Sequence, residues 1–178
     1  MDVTGGRGYI EKDWGQSFPR AWVWMQTNHF GATGTSLTAS VAVIPWLRGA
    51  FNGFIAGLWH EKRLYRFATY TGARTERLTV TDTTVQWEIW QPHRRGPALR
   101  LSLLAERSTG GLLHSPERTE MMPRVMESLT ATVSVRLEES PGGRVLFEGR
   151  GEHAGLEVVG ELPVTSKSAG ESDGGTRK

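Results

Sequence analysis

The chain contains no cysteine, which excludes disulfides, thiolate metal sites and a cysteine nucleophile. It has no uninterrupted run of about 18 apolar residues, the length a membrane-crossing helix needs, and its opening residues, MDVTGGRGYIEKDWG, carry no apolar leader. The expectation is a cytoplasmic chain whose membrane contact, if it has one, is peripheral. An excess of one charge is also missing: 21 Lys and Arg stand against 19 Asp and Glu, and they are interspersed along the chain. That argues against a nucleic-acid partner, which needs cations clustered on one face. The five histidines show no H-x-H or H-E-x-x-H spacing, so no metal site is expected. Nucleophile-elbow, phosphate-loop and dinucleotide fingerprints are absent as well.

What the sequence does have is strand patterning. A length of 178 residues fits one domain with a substantial core, here residues 1–164. The last stretch, TSKSAGESDGGTRK, is rich in Ser, Gly and charge without apolar periodicity, which reads as a disordered tail over 165–178. Between Arg20 and about Leu162 apolar residues alternate, the period of half-buried strands. WVWMQTNHF, SLTASVAVIPW, GFIAGLWH, LYRFATY, ERLTVT, VQWEIWQ, ALRLSLLAE, LTATVSVRLEE and RVLFEGRG give about nine strands at short spacing. This predicts an all-β, mostly antiparallel barrel or sandwich. One segment breaks the rhythm: SPERTEMMPRVMESL, Ser115 to Leu129, carries Pro116 and Pro123 and is predicted as a short helix or lid-like loop. Met121, Met122 and Met126 give it adaptable apolar surface.

The densest chemistry lies in GYIEKDWGQSFPRAWVWMQTNHF, Gly8 to Phe30. Alternation puts Trp22, Trp24, Gln26, Asn28 and Phe30 on one face of a strand and Val23, Met25, Thr27 and His29 on the other. A face that is aromatic and hydrogen-bonding suits a pocket with an apolar wall and a few placed polar groups. It equally suits an outer face packed against another element. Glu11 and Asp13 flank a lysine on one side of an extended approach. They are either a solvated entry to the strand or, with one buried against Trp14, a proton donor. Trp59 with His60, and Tyr65, are further candidates at strand positions. Trp87 and Trp90 differ in parity, so they cannot both face inward in an unbroken strand.

The opening stretch resembles the signature of the tocopherol cyclase family: an E-K-(N/D)-W-G element, then F-P, then a W-x-W-x-Q-x-N strand. IPWLRGAFNGFIAGLWHEKRLYRFATYTGA and EGRGEHAGLEVVG look like later blocks of the same family, especially its bacterial members, so the likeness runs from Gly8 to Leu162. It implies a lipocalin-like antiparallel barrel. It also implies that this chain corresponds to the C-terminal half of longer proteins built from two barrel-like halves, so that a second half or a homodimer would complete a shared cavity.

The plant enzymes of that family are isomerases. They protonate a double bond of a prenylated hydroquinone, and a phenolic oxygen captures the tertiary cation to close a chromanol ring. Such chemistry calls for no cofactor and no metal; it needs an acid, a dry cavity for the prenyl tail and π-faces for a transient cation. The residues themselves offer parts for such chemistry: Glu11 or Asp13 as the acid, and Trp14, Trp22, Trp24, Gln26, Asn28, Trp59 and Tyr65 to bind the substrate, a prenylated quinol or other lipid. A related carotenoid hydratase family lets water capture the cation instead. Two other readings stand beside the enzyme: a non-catalytic lipid carrier with the same pocket, and a structural module whose tryptophans fill a packed barrel or an interface.

Overall fold

A computed structural model of the chain describes residues 4–5, 8–12, 14–93 and 95–162 and the backbone of 165–166. Among them the only helix is a single 3-10 turn, Thr69–Thr71. The strands are β1 (Trp22–Thr27), β2 (His29–Phe30), β3 (Ser36–Trp46), β4 (Gly49–His60), β5 (Arg63–Ala68), β6 (Arg74–Val80), β7 (Thr84–Gln91), β8 (Ala98–Glu106), β9 (Gly111–Glu117), β10 (Glu120–Ser140), β11 (Val145–Val159) and β12 (Thr165–Ser166). All lie in one antiparallel sheet ordered β12-β6-β7-β8-β10-β11-β1-β3-β4-β5, with β2 attached to β11 and β9 to β10. The all-β expectation is met, with more strands than the nine anticipated. β5 and β6 follow each other across the 3-10 turn but form no ladder among the described residues, so the sheet found there is open, not a closed barrel. Thr165 and Ser166, assigned to the tail by composition, pair with Leu78 and Arg77; the rest of that tail lies outside the described residues.

Hairpins follow local turn chemistry. Glu61 and Lys62 both take positive φ, 48° and 62°, the two-residue reversal that matches strand twist between His60 and Arg63. The predicted turns at Asp82–Thr83 and in SPGG likewise join β6 to β7 and β10 to β11.

Every long strand contributes its alternate residues to one interior. Val23 and Met25, Leu37, Ala39 and Val41, Ala56 and Leu58, Phe67, Leu78, Val85, Trp87 and Ile89, Leu101, Leu103 and Ala105, Val133, Val135 and Leu137, and Leu156 form one buried cluster. Trp87 is fully buried; its indole donates to Thr75 Oγ1 at 3.1 Å and its ring meets Phe54 edge-on at 5.6 Å. Trp90, of opposite parity, lies outside this cluster with Arg74 stacked 4.0 Å over its ring. Of the two placements open for the tryptophan face of β1, the fold takes the outer one, because Val23, Met25 and Thr27 fill the interior.

Two expectations require correction. Alternation along the first strand breaks at Asn28: Thr27 Oγ1 accepts from His29 N at 3.1 Å and donates to Glu152 O at 2.7 Å. Phe30 therefore turns into the core, where it meets Phe147, and His29 turns out. Ser115 to Leu129, anticipated as a helix or lid-like loop, is instead the hairpin β9–β10. Its turn at Arg118 and Thr119 uses positive φ at both residues. The ladder slips in register between Pro123 and Val125, and such an irregularity accommodates a proline that cannot donate.

The two tryptophan environments predict different costs. Trp87→Ala empties the centre of the core and is expected to lose about 3–5 kcal/mol, whereas Trp24→Ala, half-buried on the outer face, loses well under that; urea denaturation of both variants measures the difference.

Candidate functional site

The outer face of β1 becomes a site because two elements fold back over it. The first is the approach to β1. Tyr9 OH lies 3.1 Å from Thr38 Oγ1 on β3, and further along Phe18 N donates to Pro116 O at 3.0 Å and Gln16 O accepts from Thr119 N at 2.9 Å. The approach therefore crosses from β3 to the β9–β10 hairpin. The second element is that hairpin, whose Arg124 reaches back to Pro19 O at 3.0 Å, pairs with Glu117 at 3.5 Å and lies 5.3 Å over the Trp22 ring. Trp22, Val125 and Val159 form a second, small core here, with Phe18, Trp24 and Ala42 packed around it. Phe18 meets Trp22 edge-on at 6.1 Å.

Between these layers runs a groove of about 460 Å³, lined by Trp22, Trp24, Ser40 and Ala42 below and by Glu11, Trp14 and the Ser17–Pro19 segment above, with Glu157 at its side. Small residues on β3 make the room: Ser40 and Ala42 stand opposite Trp24 and Trp22 in register. On the other flank Trp24 pairs with Glu157 of β11. Gly155 lets the Trp24 ring lie against β11, since a Cβ there would stand 2.8 Å from the ring edge.

The indoles of Trp22 and Trp24 each point their N–H at a carboxylate. Trp24 Nε1 donates to Glu11 Oε2 at 3.0 Å, and Tyr9 OH donates to the same oxygen. Trp22 Nε1 donates to Glu157 Oε2 at 2.6 Å. Hydrogen bonds to a charged acceptor are the strong kind, so the two carboxylates and the two rings orient one another. Glu11 itself is exposed, with Trp14 likewise open to solvent, so of the two placements considered for the approach carboxylates it takes the solvated one; a carboxyl group beside aromatic faces can transfer a proton to a bound apolar molecule.

The sequence-derived candidates are thus only partly gathered. Glu11, Trp14, Trp22 and Trp24 share the groove, with Trp14 at its rim and largely exposed. Gln26 follows Trp24 on the same face and donates to Asn28. Asn28 and Trp59 border a neighbouring hollow with Tyr9 and Thr35. Tyr65 is elsewhere, beside Arg63, His93 and Leu146 at one end of the sheet. Asp13 lies outside the described residues. Sequence reasoning missed Phe18, Ser40, Ala42 and Glu157. The signal for Glu157 was its place in the family-like block EGRGEHAGLEVVG, but which way it faces depends on β11, where His153 takes a φ of 49°.

The opposite outer face is polar. Arg136 bonds Glu138 at 2.9 Å and Glu148 at 2.7 Å, and Arg150 bonds Glu106 at 2.7 Å. The Arg150 and Thr132 hydrogen bonds hold the Glu106 carboxyl below its usual range, while Glu138 raises Arg136 and Glu106 raises Arg150. Among the described residues no cluster of three or more His, Asp or Glu could hold a metal ion, and no helix is long and apolar enough to cross a membrane.

Gly155→Ala is expected to push the Trp24 ring off β11 and away from Glu11, with a loss of about 1–3 kcal/mol from overpacking; tryptophan emission and urea denaturation report the two effects.

Comparison with known proteins places these features in context. The family model described as Tocopherol cyclase-like matches residues 1–160. The chain is 26% identical over 170 residues to a probable chloroplastic tocopherol cyclase of Oryza sativa subsp. japonica and, at the same identity and length, to the chloroplastic tocopherol cyclase of Zea mays. Each alignment covers 90% of this chain and 35% of the relative, so the chain spans about a third of their length. No solved structure matches at a significant level.

Proposed function

Because the chain belongs to the tocopherol cyclase-like family, we propose that its outer-face groove binds a prenylated quinol or similar isoprenoid lipid and cyclises it to a chromanol. The observation that carries this reading is the carboxylate of Glu11, held by the indole of Trp24 and the hydroxyl of Tyr9 over an aromatic floor. Both donors converge on Oε2, which leaves Oε1 to carry the transferred proton. In the proposed reaction Glu11 protonates the prenyl double bond and the tertiary cation forms over a π-face. Arg124 already occupies one side of Trp22, so Trp24 is the ring that serves the cation. The phenolic oxygen then attacks to form the C–O bond.

The partners proposed with this function follow from its chemistry. A substrate dissolved in a bilayer calls for peripheral membrane contact. Phe51, Ile55, Trp59 and Leu64 leave apolar surface exposed on β4 and β5, and a second β-domain or a second copy of the chain would cover it.

The test uses a hydroquinone carrying a shortened, ten-carbon prenyl tail, with tryptophan quenching for binding and mass spectrometry for the chromanol. Trp24→Ala is expected to weaken binding at least about tenfold. Glu11→Gln keeps binding and loses about 10²–10⁴ in turnover, the range for a general acid. A wild-type protein that binds without turnover is a lipid carrier. One that does not bind this probe overturns the groove reading.

A further inference from the structure

We propose that Glu157 is the second carboxylate of the reaction, the base that takes the phenolic proton as the ring closes. The inference rests on the cyclase reading of the groove and assigns a role that reading leaves open. Ring closure by addition of an O–H across a double bond gives one proton to carbon and removes another from oxygen. A single carboxyl would have to serve two separated atoms of the substrate, whereas the groove presents two. Glu11 arrives from the approach segment above the floor, and Glu157 stands on β11 at its side.

Three observations single out Glu157. It is half-buried in the groove lining. The N–H of Trp22 aims one carboxylate oxygen at 2.6 Å, and that indole is itself fixed by Phe18 and Arg124. Third, the strand opposite places Glu127 directly across from it. Like charges in cross-strand register are destabilising. Among the described residues that line the groove, Glu11 is the other ionisable group.

The atoms balance. The Glu11 carboxyl O–H breaks and a C–H bond forms at the alkene. The phenolic oxygen attacks the tertiary cation and a C–O bond forms. The phenolic O–H breaks, its proton passing to Glu157. The product is an isomer of the substrate, and exchange with solvent returns a proton to Glu11 and removes one from Glu157. Neither oxidant nor reductant is consumed.

The test compares the ten-carbon prenyl hydroquinone with its monomethyl ether, methylated on the ring-closing oxygen and so lacking the proton that Glu157 would accept. Wild-type protein is expected to bind the free phenol about tenfold or more tightly than the ether. Glu157→Met should bind the two alike, while Glu11→Gln keeps the preference, and Glu157→Gln should lose about 10²–10⁴ in turnover with binding of the phenol largely retained. Trp22→Phe keeps the ring and removes the indole donor, so it reads the same contact with Glu157 in place; its preference should fall. Equal binding of both ligands by wild type, or undiminished preference and turnover in the Glu157 variants, overturns this role for Glu157 and leaves the cyclase reading standing. If wild type binds neither ligand, the groove reading itself falls, and this assignment with it.

Discussion

Close packing of the sheet interior is the constraint from which the rest of the structure follows. Alternate residues of the long strands meet in one apolar cluster around Trp87, and an interior packed at crystal-like density leaves little room for a ligand. The hydrogen-bonding tryptophans of β1 are therefore directed outward. Once outside, their large apolar rings must still be removed from water, since burying an aromatic side chain is worth a few kcal/mol. The approach segment and the β9–β10 hairpin supply that cover. A second layer thus arises from the same hydrophobic demand that fills the first, and the groove is the space that this layer leaves open.

The groove owes its polarity to a different rule. An indole carries a single N–H donor, and when its ring is covered that donor needs an acceptor. Trp22 and Trp24 meet the requirement with carboxylates drawn from distant parts of the chain, Glu157 and Glu11. Ordering the rings thereby also fixes two ionisable groups against them, so one set of hydrogen bonds serves both the stability of this layer and the proposed chemistry. The contrast with the other outer face is instructive. Around Arg136 and Arg150 the carboxylates are matched by guanidinium groups, and exposed pairs of that kind add little stability.

Much of this was legible in the residues. Alternation specified the strands, the opposed parity of Trp87 and Trp90, and the two faces of β1 as far as Thr27, because a strand's side-chain period is a local property. The concentration of Trp14, Trp22, Trp24 and Glu11 in one stretch marked the candidate site, since the approach and the strand it precedes are neighbours in the chain. The reversal at Asn28 was not legible, because it depends on Thr27 bonding Glu152, more than a hundred positions away. Nor was the hairpin at Ser115 to Leu129. Its two prolines argue against a regular element locally, and only the ladder with its shifted register accommodates them.

The sequence by itself determined an all-β chain, the family to which it belongs and the aromatic, acidic stretch on which the proposed chemistry depends. Each of these is carried by local pattern or by contiguous motif. The tertiary structure alone decided that the interior is filled, that the tryptophan face looks outward, and that Glu157 stands beside Trp22 while Tyr65 and Trp59 go elsewhere. Those outcomes depend on which strands become neighbours and in what register. Strand pairing joins residues far apart in the chain, and a shift of one residue in register exchanges the two faces of a strand.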